Sequence, residues 1–154
     1  MSCLFNNFAA GVLANSLIVN KNQGVFIEYV DNANNSFDHF ESGLLELRSN
    51  LFYEVADNDA DSIFNIWSQP YQGLAAMEEM INEYFSQAGN FIADPGIHQL
   101  PNSLNPIPAN DIHGNLAPLP DPWFEEVTYR GAFGNYNWLA EWSLLSESGF
   151  ITDF

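Results

Sequence analysis

Three aspartates at alternate positions, Asp57, Asp59 and Asp61, form the pattern in this chain that most resembles a cation site. An EF-hand loop opens in this way but needs Gly at its sixth position and Glu at its twelfth. Ser62 and Ser68 stand there, which excludes an EF-hand. A looser Ca²⁺ site at the three aspartates remains one interpretation. The other is that these carboxylates cap a helix and are otherwise solvated.

A second candidate site is aromatic, because aromatic side chains crowd the last third of the chain. Rings can stack on the apolar faces of sugars, so a ligand-binding platform would use Trp123, Tyr136, Trp138 and Trp142. The alternative is that these rings fill a core. We predict that most of the crowd forms a cap that seals a larger core, and the alternative is one exposed patch with a binding role. The crowd consists of Trp123, Phe124, Tyr129, Phe133, Trp138 and Trp142.

No catalytic residue can be assigned among the remaining polar residues. His39, His98 and His113 lie far apart, so a zinc site would require the fold to gather them. Acid–base catalysis needs two groups placed across a cleft. The 20 acidic residues offer too many possible pairs to select one.

Composition and charge limit the partners of this 154-residue chain, whose length fits one domain. Lys21, Arg48 and Arg130 are its basic residues, and the net charge is −17. So few cations exclude nucleic acid and anionic membrane surfaces as partners. The charge indicates either attraction for Ca²⁺ or a solvated acidic surface. Ca²⁺ is the one candidate cofactor that the sequence suggests, and no cofactor is assigned with certainty.

Two further features bear on compartment. No apolar run reaches the roughly 20 residues that a membrane span needs, and the first residues lack the basic and apolar regions of a signal peptide. Cys3 is the single cysteine, so no disulfide can form within the chain.

The first half of the chain predicts short strands, because β-branched, Leu and aromatic runs are bounded by Asn, Gly and Ser. Within them, Leu13–Leu17 and Leu47–Leu51 share a Leu-x-(Asn/Ser)-(Ser/Asn)-Leu pattern. Asparagines between short strands are typical of parallel β-solenoids, although two similar segments also arise by chance. The predicted strands are Val12–Val19, Gly24–Val30, Leu44–Arg48 and Leu51–Val55.

Later segments predict helices around a proline-rich stretch. An amphipathic helix is expected over Leu74–Ala88, ending at Gly89. A further helix is expected within Asp57–Trp67. Seven prolines between about 94 and 122 predict an extended wrap. Ile97, Leu100, Leu104 and Ile107 are expected to pin that wrap. A short strand at Val127–Tyr129 and a final helix over Trp138–Ser146 complete the prediction.

Together these elements predict a mainly β fold with helices, the end of a right-handed parallel β-helix (solenoid). One domain, 1–154, would comprise β-solenoid coils at 1–70, a helix at 71–90, a Pro-rich wrap at 91–122 and an aromatic helical C-terminal cap at 123–154. Its first coil, near Leu4 to Val19, would expose unpaired strand groups. Such an edge predicts self-association.

Several motifs carry a family resemblance: Leu45–Tyr53, Asn105–Ala109, Asp121–Glu125, Tyr129–Gly134 and Trp138–Trp142. On these the chain resembles the C-terminal portion of secreted bacterial parallel β-helix-like proteins. They are associated with type IX secretion, and some are labelled "multidrug transporter". Efflux is physically implausible without a membrane span.

The resemblance implies a secreted or cell-surface location and a portion of a longer protein. It also implies a non-catalytic structural or binding module, serving adhesion or contact with a glycan or protein partner. Two alternatives stay open. One is a carbohydrate-active β-helix enzyme of the polysaccharide lyase or hydrolase kind, and the other is a Ca²⁺-stabilised scaffold.

Overall fold

The structure is a computed structural model that describes residues 1–30, 35–68, 74–97, 104–119 and 121–151. Within these ranges the strands are β1 (Cys3–Phe5), β2 (Gly11–Ala14), β3 (Leu17–Lys21), β4 (Val25–Tyr29), β5 (Leu45–Arg48), β6 (Leu51–Val55), β7 (Phe64–Ser68) and β8 (Phe91–Ile92). The α-helices are α1 (Ser36–Glu41), α2 (Ala75–Gln87) and α3 (Leu144–Glu147). Two short 3₁₀ turns cover Ala56–Asn58 and Ala60–Ser62.

The strands assemble into three small parallel sheets, with strand orders β1-β4-β7, β2-β5 and β3-β6-β8. The two similar segments of the sequence pair in register, since Leu13 faces Leu47 and Leu17 faces Leu51. The predicted strand Val12–Val19 is split into β2 and β3. Asn15 causes the break, because its φ of 54° is outside the range of an extended strand.

The prediction of a parallel β-helix end is wrong. The described residues form separate sheets of three, two and three short strands, interrupted by helices. Within the described ranges the middle sheet contains two strands, and a side chain of helix α2 reaches β5. The Tyr84 hydroxyl on α2 accepts a hydrogen bond from the Leu47 amide of β5 at 3.2 Å. A helical side chain thus contacts this part of the β5 backbone.

The core lies between the sheets and helices and is rich in phenylalanine. Alternate strand residues point inward and pack on α1 and α2. Gly24 marks one close backbone approach, since a Cβ there would lie 1.9 Å from the Ile63 carbonyl oxygen. The core members from the strands are Val25, Ile27, Leu45, Leu47, Phe52, Val55, Phe64 and Ile66, and those from the helices and turns include Phe37, Phe40, Ile63, Leu74, Ile81 and Phe85.

Two buried asparagines connect successive layers at the corners between strands. Asn90 Oδ1 accepts hydrogen bonds from both the backbone amide and the side-chain amide of Asn50, each at 3.0 Å. The Asn50 side chain also donates to Leu13 O at 2.9 Å and accepts from the Ser16 amide at 3.0 Å. Asn90 Nδ2 donates to Leu47 O at 2.8 Å. The asparagine pair therefore satisfies backbone groups that the turns leave without ladder partners.

The predicted helix Leu74–Ala88 is confirmed, because α2 spans Ala75–Gln87 and buries Ile81 and Phe85. The predicted helix within Asp57–Trp67 is wrong. That segment contains the two 3₁₀ turns and strand β7, with Phe64 and Ile66 buried on one face. Burial at alternate residues is typical of a strand. The helix was expected because the preceding aspartates resemble helix caps.

The predicted aromatic cap and its strand are also wrong. Residues 127–129 form no strand, and helix α3 is a single turn at Leu144–Glu147 instead of a helix over Trp138–Ser146. Trp138 is 43% exposed and Trp142 is 65% exposed, so neither seals the core. Phenylalanines from the first 90 residues already fill that interior, which leaves the late aromatics at the surface.

The proline-rich wrap is irregular in its described parts, as the sequence predicts. Ile97, Leu104 and Ile107 are half-buried, whereas Leu100 lies outside the described residues. Ile112 is buried and adds an anchor that the sequence analysis did not name.

Arg130 ties the wrap to the third sheet. This fully buried side chain donates to Ile112 O at 3.0 Å and to Gly114 O at 2.7 Å. Its guanidinium lies 4.8 Å from the centre of the Phe91 ring of β8, a cation–π contact.

The helices in the described part of the chain are short. None of them combines the length and the apolar character that a transmembrane helix needs.

Candidate functional site

Three aromatic rings near the C-terminus form a parallel stack, Phe133–Trp138–Trp142, called the aromatic stack below. The Phe133 and Trp138 centroids are 5.1 Å apart with planes inclined by 4°. The Trp138 and Trp142 centroids are 6.0 Å apart at 12°. Trp138 is the middle ring, so Trp142 presents its outer side away from the stack.

Both indoles are anchored by their own N–H groups. Trp138 Nε1 donates to Ala132 O at 3.0 Å, and Trp142 Nε1 donates to Trp138 O. These bonds set the tilt of the rings while leaving much of their apolar surface in water. The arrangement presents an apolar surface whose indole N–H groups are already hydrogen-bonded within the protein.

A cavity of about 480 Å³ adjoins the stack, because Phe133 is also one of its walls. A volume of this size is within the range of small-ligand sites in proteins. Most of the wall is apolar, and the residues that form it are Leu17, Val19, Asn20, Ile97, Leu104, Pro106, Arg130, Gly131, Ala132 and Phe133. The stack and the cavity therefore form one continuous candidate site.

The sequence prediction named four platform residues, and the structure brings two of them together. Trp138 and Trp142 stack on each other. Trp123 is 82% exposed and contacts Phe124 edge to face at 5.1 Å. Tyr136 is 63% exposed. Among the described rings, neither Trp123 nor Tyr136 contacts the aromatic stack.

Among the described residues that line the cavity, Arg130 is the charged one, and its side chain is fully buried. Burial lowers the pKa of the Arg130 guanidinium from its ordinary value. Its Nη1 atom has no hydrogen-bond partner within the described part of the chain. Two backbone carbonyls and an aromatic face therefore stabilise this buried cation.

Of the three aspartates proposed as a Ca²⁺ site, Asp59 is engaged in the local turn through its carboxylate. Asp59 Oδ1 accepts from the Asp61 amide at 3.2 Å, and Asp59 Oδ2 accepts from the Ser62 hydroxyl at 2.8 Å. Asp57 has a positive φ of 58° beside this turn. Across the described ranges, no three His, Cys, Asp or Glu residues form a group that could hold a metal ion.

The two described histidines have structural contacts. His39 Nδ1 lies 3.0 Å from Ala9 O, and its ring is 3.7 Å from the Phe8 ring. His113 Nδ1 accepts from the Arg130 amide at 3.0 Å. His98 lies outside the described residues.

Sequence reasoning missed Phe133 as a stack member and missed the whole cavity. Phe133 precedes Trp138 by five positions in irregular backbone, a spacing that no regular period links. The cavity joins β3 to the wrap and to residues 130–133, which lie about 80 to 115 positions later in the chain. No local pattern in the sequence could have indicated that juxtaposition.

Comparisons with protein-family models, with curated proteins and with solved structures found no significant match for this chain.

Proposed function

We propose that this protein is a non-catalytic binding module that contacts carbohydrate chains through the aromatic stack. The observation that carries the proposal is the exposure of Trp142 and Trp138 in a fixed parallel arrangement. Large apolar groups exposed together at the surface of a folded protein favour a binding role. Flat, anchored indoles match the apolar face of a sugar ring.

The electrostatics narrow the substrate class. With a net charge of −17, the protein repels uronic acids and sulfated sugars at a distance. Neutral glycans and amino sugars meet no such repulsion. We therefore propose neutral or amino-sugar polymers as the ligands. The secreted or cell-surface location implied by the family resemblance stays a prediction.

The test is isothermal titration calorimetry of the full chain with soluble neutral, amino-sugar and uronic-acid oligosaccharides. We expect binding to the first two classes and none to the third. The variant Trp142→Ala should weaken binding about tenfold, or ~1.4 kcal/mol. Leu144→Ala is the matched control, because Leu144 is 75% exposed but carries no ring.

Two results would contradict the proposal. One is the absence of heat with every neutral and amino-sugar ligand at millimolar concentration. The other is a Trp142→Ala protein that binds as tightly as the wild type. Far-UV circular dichroism of both variants, compared with the wild type, checks that each one is folded.

A further inference from the structure

The first strand of every sheet comes from one segment of the chain. β1, β2 and β3 are the outermost strands of the three sheets, and each pairs on one side with a later strand, β4, β5 or β6. Within the described ranges, no strand pairs with them on the opposite side. This set of strands, Cys3–Lys21, is called the edge layer below. A parallel edge strand leaves alternate backbone N–H and C=O groups without ladder partners.

The edge layer also exposes apolar surface. Cys3, Phe5, Leu13 and Ile18 pack on the core but remain partly open to solvent. Val12 at the centre of β2 is exposed. The strands of the next layer, by contrast, bury their inward residues Val25, Ile27, Leu45, Leu47 and Phe52 almost completely.

Charge separates the edge layer from the rest of the molecule. Residues 1–27 contain no Asp or Glu, and all 20 acidic residues follow. The two carboxylates closest along the paired strands are engaged: Glu46 forms an ion pair with Arg48 at 3.0 Å, and Glu28 accepts from the Asn7 amide at 2.7 Å. Two copies of this acidic protein repel one another at other surfaces, but the edge layer contains no carboxylate that would add to this repulsion.

We infer that the edge layer binds a second copy of the same chain, layer against layer. Identical surfaces related by a two-fold axis are self-complementary, and unpaired strand edges supply the hydrogen bonds. The charge distribution makes this the surface where two copies can approach. The inference does not rest on sugar binding, although the edge layer shares Leu17, Val19 and Asn20 with the cavity beside the aromatic stack.

A proline in β2 gives a specific test. The Gly11 amide donates to the carbonyl of Leu44, the residue just before β5, at 2.8 Å, so the next amide, that of Val12, faces the open side. Val12→Pro removes this outward donor without removing a ladder bond of the monomer. Leu144→Pro is the matched control, because Leu144 is the first residue of helix α3, where proline is well accepted.

The measurement is sedimentation velocity of the full chain from micromolar to millimolar concentration, in low and high salt. We expect a monomer–dimer equilibrium that strengthens with salt, because salt screens the acidic charges. Val12→Pro should weaken dimerisation at least tenfold, and Leu144→Pro should leave it unchanged. Hydrogen exchange of the wild type at two concentrations should slow in residues 3–21 as the concentration rises.

A wild-type monomer at millimolar concentration overturns the inference. So do masses that grow beyond the dimer, and so does a Leu144→Pro protein that becomes monomeric while Val12→Pro does not. If Val12→Pro fails to fold, the exchange experiment decides alone. Protection that rises with concentration outside residues 3–21, and not within them, contradicts the inference.

Discussion

Replacing Asn50 with alanine should destabilise the fold strongly, although the residue belongs to no candidate site. The substitution removes three side-chain hydrogen bonds, to Ser16 N, Leu13 O and Asn90 Oδ1. Leaving a buried polar group unsatisfied costs about 1–3 kcal/mol. The contacts to Ser16 and Leu13 are part-buried, so water partly replaces them, and Asn90 Oδ1 keeps the Asn50 amide as a donor. We therefore expect a loss of about 2–4 kcal/mol in the free energy of unfolding, a large share of the roughly 5–15 kcal/mol typical of a domain.

Urea unfolding followed by circular dichroism measures this loss. With a slope of about 2 kcal/mol per molar urea, the midpoint should fall by about 1–2 M. Asn50→Asp should be at least as damaging at neutral pH, because its second oxygen would face Leu13 O and Asn90 Oδ1 without a proton to share. Asn6→Ala is the control, since Asn6 is exposed. An Asn50→Ala midpoint equal to that of Asn6→Ala would refute the reasoning.

Three further outcomes are expected. Ile81→Ala should cost about 2–4 kcal/mol in urea unfolding because Ile81 is fully buried, whereas Met80→Ala, at an exposed position of the same helix, should cost under about 1 kcal/mol; equal losses would contradict the packing of α2. Burial raises the pKa of the Tyr84 hydroxyl, so its contribution to stability is complete below the ordinary tyrosine pKa and is lost as the pH rises through the raised value. The melting temperature of the wild type should therefore fall more steeply at alkaline pH than that of Tyr84→Phe, and parallel curves would be inconsistent with this. Adding millimolar Ca²⁺ should leave the melting temperature unchanged, because both Asp59 oxygens already accept hydrogen bonds; a rise of several degrees would restore the Ca²⁺ site at 57–61.

The sequence predicted those elements whose pattern is local. Helix α2 follows from apolar residues at three- and four-residue steps, and Gly89, with a φ of 73°, ends it. The strands β4, β5 and β6 follow from β-branched and aromatic runs between turn residues. The similarity between Leu13–Leu17 and Leu47–Leu51, segments that lie 34 positions apart, also indicated which strands pair, because Leu13 faces Leu47.

The sequence could not predict which aromatic side chains occupy the core, because more aromatic rings are present than the interior holds. The late tryptophans were expected in a cap because large apolar groups usually bury. Phe37, Phe52, Phe64 and Phe85 occupy the interior first, and aromatic count alone does not tell which ring is left outside. The aromatic stack and its cavity depend on backbone paths through irregular segments, where residue spacing carries no orientation.

The parallel pairing has a consequence for how the chain becomes structured during synthesis. Cys3 pairs with Val25, Gly11 with Leu45 and Leu17 with Leu51. Strands β1 to β3 therefore leave the ribosome before the strands that pair with them have been synthesised. Every such contact must close a loop of more than 20 residues, which slows folding. During this interval the nascent chain exposes a β-prone stretch that contains no acidic residue, and chaperones would have their best opportunity to bind it.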